Sequence, residues 1–189
     1  MRPTSFSALK KRLAARAPAR VDASSAMETS VALILAPGPS GLEALFIRRA
    51  ERPGDPWSGQ IGLPGGRREP ADADLLATAL RETREEVGVV LAASSLLGGL
   101  DDLVPRTPRL PPLLIRPFVF GLAERPDARL SEEVAGVMWY GLAEISASAG
   151  AAEVSIGGAA TRVDCFKPRG TVIWGLTYRI LRSLLPFAA

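Results

Sequence analysis

The chain predicts an α/β fold, with a mixed sheet lying between helices. Three observations carry that prediction. Two strand-type runs with a Pro/Gly link open the chain, a long helical stripe ends at Gly88, and a second helical stripe lies near the C-terminus. The 189 residues suit one domain with a sizeable core, and a hydrophobic content of 47% argues against disorder. No internal repeat is present.

Residues 1–27 form a basic N-terminal segment whose first acid is Asp22. Leu9 and Leu13, flanking Lys10-Lys11-Arg12, predict a short amphipathic surface helix that begins near Ser7. The segment lacks the continuous apolar run of a secretory signal. Residues 28–189 are read as the single folded domain.

Val31–Ala36 and Leu42–Arg48 read as strands joined by Pro37-Gly38-Pro39-Ser40-Gly41. A helix follows. Pro70 marks a boundary before it, Asp72 or Asp74 can cap it, and Leu76, Ala79, Leu80, Thr83 and Val87 recur at helical spacing. Gly88 suits a left-handed helix end.

Val89–Leu91 and Leu97–Asp102 are read as short strands. Leu114–Leu122 is read as a central strand whose pairing Pro117 limits. Gly136–Leu142 reads as a strand entering a helical turn at Ala143–Ile145. Glu153–Ile156 and Thr161–Phe166 flank Gly157-Gly158 as a hairpin, and Thr171–Leu185 reads as a helix stopped by Pro186.

Composition removes whole classes of chemistry. With no histidine, neither a Ser-His or Cys-His nucleophile pair nor a His-containing zinc site can form. A general base must then be a carboxylate, lysine, tyrosine or metal-bound water. The single Cys165 excludes an internal disulfide and points to a reducing, cytoplasmic compartment; we read it as a strand residue without a chemical role. No apolar run is long enough to span a bilayer, so no membrane partner is expected. A net charge of only +3 gives little support for nucleic-acid binding, and the aromatic-basic interleaving that stacks bases is missing.

Against that background the run from Leu63 to Val89 stands out. A Pro64-Gly65-Gly66 turn feeds the helix that carries Arg81, Glu82, Glu85 and Glu86 before Gly88. Residues three and four apart are neighbours on a helix, so the three glutamates share one side with Arg81 at its edge. Carboxylates this close repel one another and call for a neutralising cation. A hard divalent ion with oxygen ligands suits them. A solvated acidic face with Arg81 and Arg84 as ion-pair partners is the plainer alternative.

Gly66, Arg81, Glu82, Glu85, Glu86, Gly88 and Val89 match the signature of the Nudix hydrolases in type and order, and the chain resembles that family. Asp72 stands in place of the first glutamate, one extra residue separates it from Arg81, and Thr83 replaces an apolar residue. The resemblance implies a Nudix-like α/β/α sandwich with a mixed sheet. It further implies Mg²⁺ or Mn²⁺ held by Glu82, Glu85, Glu86 and the Gly65 carbonyl. The implied reaction is hydrolysis of a phosphoanhydride in a nucleoside diphosphate linked to another moiety. Arg81 would orient the carboxylates, and Glu133 is the preferred further acid, from a loop that also holds Glu132. Asp101-Asp102 is another acidic pair in or near a loop.

Leu45-Phe46-Ile47-Arg48-Arg49 and Gly59-Gln60-Ile61-Gly62-Leu63-Pro64-Gly65-Gly66 resemble the pattern of Nudix coenzyme A diphosphatases, with Asp55 and Leu63 departing from it. Coenzyme A is therefore the first expected substrate, ahead of ADP-ribose-like or dinucleotide substrates. Arg48, Arg49, Arg106, Arg109 and Arg116 can meet a diphosphate, and Trp57 can stack on a base. A nucleotide-sensing module without turnover is the alternative from another class, and a homodimer is left open.

Overall fold

Side-chain alternation along the central strands builds both halves of the core. In β1 (Met27–Gly38), Leu33 and Leu35 enter one apolar cluster while Ala32 and Ile34 enter another on the opposite face. β2 (Gly41–Arg49) does the same with Ala44 and Phe46 against Leu45 and Ile47. The computed structural model describes residues 5–22, 26–52, 57–105 and 112–188.

The first cluster is closed by α1 (Phe6–Ala14), α3 (Leu142–Ala147) and α4 (Gly175–Ala188), the second by α2 (Leu75–Val87). The result is the α/β/α sandwich with a mixed sheet. Its remaining strands are β3 (Ile61–Gly62), β4 (Gly65–Arg67), β5 (Leu96–Gly99), β6 (Leu113–Gly121) and β7 (Val134–Gly141). The order is β3-β2-β1-β6-β5, with β4 on β1 and β7 on β2. β1 and β6 run parallel and the other pairs are antiparallel. β8 (Ala149–Ile156), β9 (Ala159–Phe166) and β10 (Ile173–Trp174) form a separate small sheet. Gly157 and Gly158, at φ 59° and 84°, make the two-residue hairpin turn that needs positive φ at both centres.

The N-terminal helix is capped by Ser5, whose Oγ accepts from the Ala8 N–H at 3.2 Å. Its charged face is exposed, while Leu9 and Leu13 are buried in the core. The chain after it is tied to the sheet edge. Arg16 pairs with Asp101, and Arg20 pairs with Asp102.

Three elements differ from the sequence expectation, the first being the last helix, which starts at Gly175 rather than Thr171 because Ile173–Trp174 pairs with β9 as a strand. Val89–Leu91 is not a strand: Val89 and Leu91 are buried in the α2-side cluster, so apolar contact rather than ladder pairing explains their composition. Pro186 does not stop the last helix, which runs to Ala188. A proline removes one donor, and here tertiary contacts secure the final turn: Arg12 donates to the Phe187 carbonyl at 2.9 Å, and Phe187 packs on the core. Pro117 sits within the central strand β6 because its carbonyl, and so its missing N–H, faces the end of β5, where Leu100 N–H donates to it at 3.0 Å.

Candidate active site

The acidic helix owes its start to Asp74, whose Oδ1 accepts from Ala77 N–H at 2.8 Å. Gly88, at φ 70°, ends it in the left-handed region. Asp72 lies ahead of the cap, in a turn closed by its N–H on the Glu69 carbonyl. The helix that carries Arg81 is itself uninterrupted from Leu75 to Val87. Thr83, in a position that favours an apolar side chain, is fully buried; its hydroxyl donates to the Ala79 carbonyl at 2.7 Å, which satisfies it.

Arg81 is the hub. Nε and Nη2 donate to the two Asp72 oxygens at 3.0 Å each, Nη2 also donates to the Arg67 carbonyl, and Nη1 lies 3.0 Å from Glu82 and 2.9 Å from Glu85. The bidentate bond from Arg81 holds Asp72 well below the usual carboxylate range against opposing burial, with help from Glu69 N–H and Thr78. The guanidinium is raised in turn, chiefly by Asp72.

The glycine turn and the helix are fastened to each other. Glu86, only 4% exposed, accepts from Gly65 N–H at 2.8 Å. A Cβ on Gly66 would come within 2.5 Å of Glu82 Oε1, and one on Gly65, at φ 151°, within 2.2 Å of the Ser30 carbonyl. Position 65 therefore needs glycine, whereas a side chain at position 66 would displace the end of the Glu82 side chain.

Burial pushes the Glu86 carboxyl up to about 7; Gly65 N–H and Arg49 oppose this, while Glu82 and Glu133 add to it. Burial also raises Glu82, against Arg81 and with repulsion from Glu85 and Glu133. Glu85 is half exposed. These groups offer oxygen donors only, with charge left to neutralise, which fits a hard divalent cation. Among the described residues, no three acids already converge as a closed cage. Arg81 holds Glu82 and Glu85, and Gly65 holds Glu86.

Glu133 joins this region from the turn just before β7. Its carbonyl accepts from Ala50 N–H at 2.8 Å, and the adjacent Ser131 N–H donates to the Glu86 carbonyl at 3.0 Å. Arg49 lies at the end of β2, near enough to act on Glu86, and Arg48 is exposed on the same strand. Trp57 is partly buried in the turn before β3. Arg106, Arg109 and Asp55 lie outside the described residues. Arg116 is engaged elsewhere, donating Nε and Nη2 to Asp102 at 2.8 and 2.7 Å. Sequence reasoning missed the Asp72–Arg81 bond and also missed Arg52, which pairs with Glu133 at 3.1 Å. No spacing rule links residues 81 positions apart.

An acid-edged helix locked to a glycine turn, on a mixed sheet between helical layers, is the frame of a hydrolase domain. The NUDIX domain model matches residues 27–156, and the chain belongs to the Nudix hydrolase family. An uncharacterized Schizosaccharomyces pombe protein is 42% identical over 106 residues, 53% of this chain and 32% of that protein. An uncharacterized Nudix hydrolase, NudL, of Yersinia enterocolitica is 35% identical over 133 residues, 67% of this chain and 65% of its own. The human mitochondrial coenzyme A diphosphatase NUDT8 is 37% identical over 89 residues, 47% of this chain and 37% of that enzyme. The chain thus spans about a third to just under two thirds of these relatives' lengths.

Among solved structures, a NUDIX hydrolase from Alicyclobacillus acidocaldarius matches with a TM-score of 0.58 at 18% identity, covering 85% of this chain and 91% of that one. The NUDIX domain of Shewanella oneidensis NrtR, solved with ADP ribose, matches at 0.53 and 23%, covering 72% and 85%. Both likenesses concern the fold. Among the described residues, no helix is long and apolar enough to cross a membrane.

Proposed function

We propose that this chain hydrolyses a phosphoanhydride bond in a nucleoside diphosphate linked to another moiety, with Mg²⁺ or Mn²⁺ as cofactor and coenzyme A as the first substrate to test. The observation that carries this reading is the Glu86–Gly65 bond. A buried carboxylate, raised toward neutrality, is fixed to the glycine turn beside a second raised carboxylate, Glu82. Perturbed carboxylates cluster at functional sites, and an all-oxygen, acid-rich edge suits a divalent cation.

Glu82, Glu85 and Glu86, with the Gly65 carbonyl, would hold the ion. When bound it offsets phosphate charge and makes water a stronger nucleophile. The water oxygen forms a bond to one phosphorus, the bridging P–O bond breaks, and its electron pair leaves with the departing phosphate. Glu133 is the proposed acceptor of the water proton. Arg81 does not touch substrate in this scheme; it orients Glu82 and Glu85. Arg48, Arg49, Trp57 and Arg106 are the proposed substrate contacts. The pattern shared with coenzyme A diphosphatases and the relative of that name in human mitochondria favour coenzyme A.

The test is a substrate panel of coenzyme A, ADP-ribose and dinucleotides with Mg²⁺ or Mn²⁺, repeated in chelator. Product from at least one substrate that disappears in chelator is the expected result. Undiminished turnover in chelator would overturn the mechanism. Tight binding with no product from any substrate would favour a sensing module.

A further inference from the structure

Glu133 is held by its backbone from two sides, by Ala50 at the end of β2 and, through Ser131, by the C-terminal turn of α2. Its side chain is a different matter. It pairs with Arg52 at 3.1 Å, and the Glu133 and Arg52 side chains are 52% and 48% exposed. Such a pair in solvent is weak and is readily exchanged for a better partner. Arg52 itself is anchored through its backbone, since its N–H donates to Ser58 Oγ at 2.8 Å next to Trp57. Its guanidinium therefore sits at the root of the segment that leads to the glycine turn, beside an acid close enough to Glu82 and Glu86 to act on both.

We propose that Arg52 is a diphosphate-binding residue which Glu133 holds in reserve, and that an arriving diphosphate takes the guanidinium from Glu133 and leaves that carboxylate free toward Glu82 and Glu86. A diphosphate carries more charge than one carboxylate and presents paired oxygens to the planar guanidinium, so the exchange runs toward substrate. The carboxylate loses its guanidinium partner only when the substrate is in place. This inference rests on the hydrolase reading above and deepens it by naming a substrate contact and its free-state partner.

The exchange makes a prediction about coupling that a simple electrostatic field does not. ADP is titrated calorimetrically in chelator, so that no metal mediates the contact, into the full chain and into Arg52→Gln, Glu133→Gln and the double variant. Arg52→Gln should weaken binding about tenfold, as loss of a charge-assisted contact does. Glu133→Gln should tighten it several-fold, because the competitor is gone. In the double variant, Glu133→Gln should have almost no further effect. Additive effects would show that Glu133 acts only through its field, and an affinity indifferent to Arg52, absent binding included, would also overturn the exchange. Melting curves for each variant identify any loss through unfolding, and Arg52→Lys, which keeps the charge, should restore part of the affinity. If turnover is found but ADP ignores Arg52, only the exchange fails. If the coupling holds but no substrate is cleaved, the hydrolase reading fails instead.

Discussion

Arg81 grips Asp72 with two parallel hydrogen bonds, Nε to Oδ1 and Nη2 to Oδ2, both 3.0 Å long. The bond pins the acidic helix to the turn before it. The acid that precedes Arg81 in the signature region is thus committed to the arginine rather than to the edge formed by Glu82, Glu85 and Glu86.

Asp72→Asn should therefore destabilise the domain. The two side chains are only 6% and 17% exposed, so screening is slight. A loss of about 2 kcal/mol is expected from breaking a charge-assisted pair while Glu82 and Glu85 still neutralise Arg81. The urea midpoint at pH 7 reads it. An unchanged midpoint would mean that the pair adds nothing.

The same bond predicts a response to acid. The folded-state value of Asp72 lies below its unfolded value of about 3.9, so its contribution is complete above that pH and is lost as the pH falls toward the folded value. Asp102 adds to this: burial pushes it up, but the bonds from Arg116, Val21 N–H and Arg20 outweigh burial and the net shift is downward. Stability should decline below about pH 4, and less steeply in Asp72→Asn. Identical slopes in the two proteins would count against it.

Glu86 has the opposite sign. Its value of about 7 lies above the unfolded value of about 4.3, so its contribution is complete below the latter and is lost as the pH rises through 7. In chelator at pH 8, Glu86→Gln should exceed the wild type by on the order of 2 kcal/mol, the amide oxygen still accepting from Gly65. The gap should close near pH 4. Chemical unfolding at the two pH values measures it, and a wild type more stable than the variant at pH 8 would refute it.

Glu85→Gln separates catalysis from folding. Its pair with Arg81 is half exposed and worth no more than about 1 kcal/mol, so the melting temperature should barely move. Turnover of whichever substrate the panel identifies should fall on the order of 10²-fold or more if a cation ligand is lost. Full activity, or an unfolded variant, would make the acidic edge structural.

The N-terminal helix also has a measurable role in the fold. Leu13 is 4% exposed in the core, and Leu13→Ala should cost roughly 2–5 kcal/mol in the same denaturation assay. A cost near zero would mean that the domain stands without this helix.

Local rules made much of this protein legible before any coordinates. The helical stripe, its Gly88 end, the turn at Gly157-Gly158 and the crowding of Glu82, Glu85 and Glu86 all depend on residues a few positions apart, where periodicity and φ preference decide. The same rules misread Val89–Leu91 and Pro186, because an apolar run and a helix breaker each took their outcome from distant packing. Which acid caps the helix and which one binds Arg81 was not readable either: Asp72 and Asp74 are equivalent as letters, and only the turn at Glu69 separates their roles. The Glu86–Gly65 bond and the Arg52–Glu133 pair join residues 21 and 81 positions apart. Bonds of that range depend on how β1, β2, β4 and β7 register around α2. That register is set by burial of the whole core, which no short window of sequence contains.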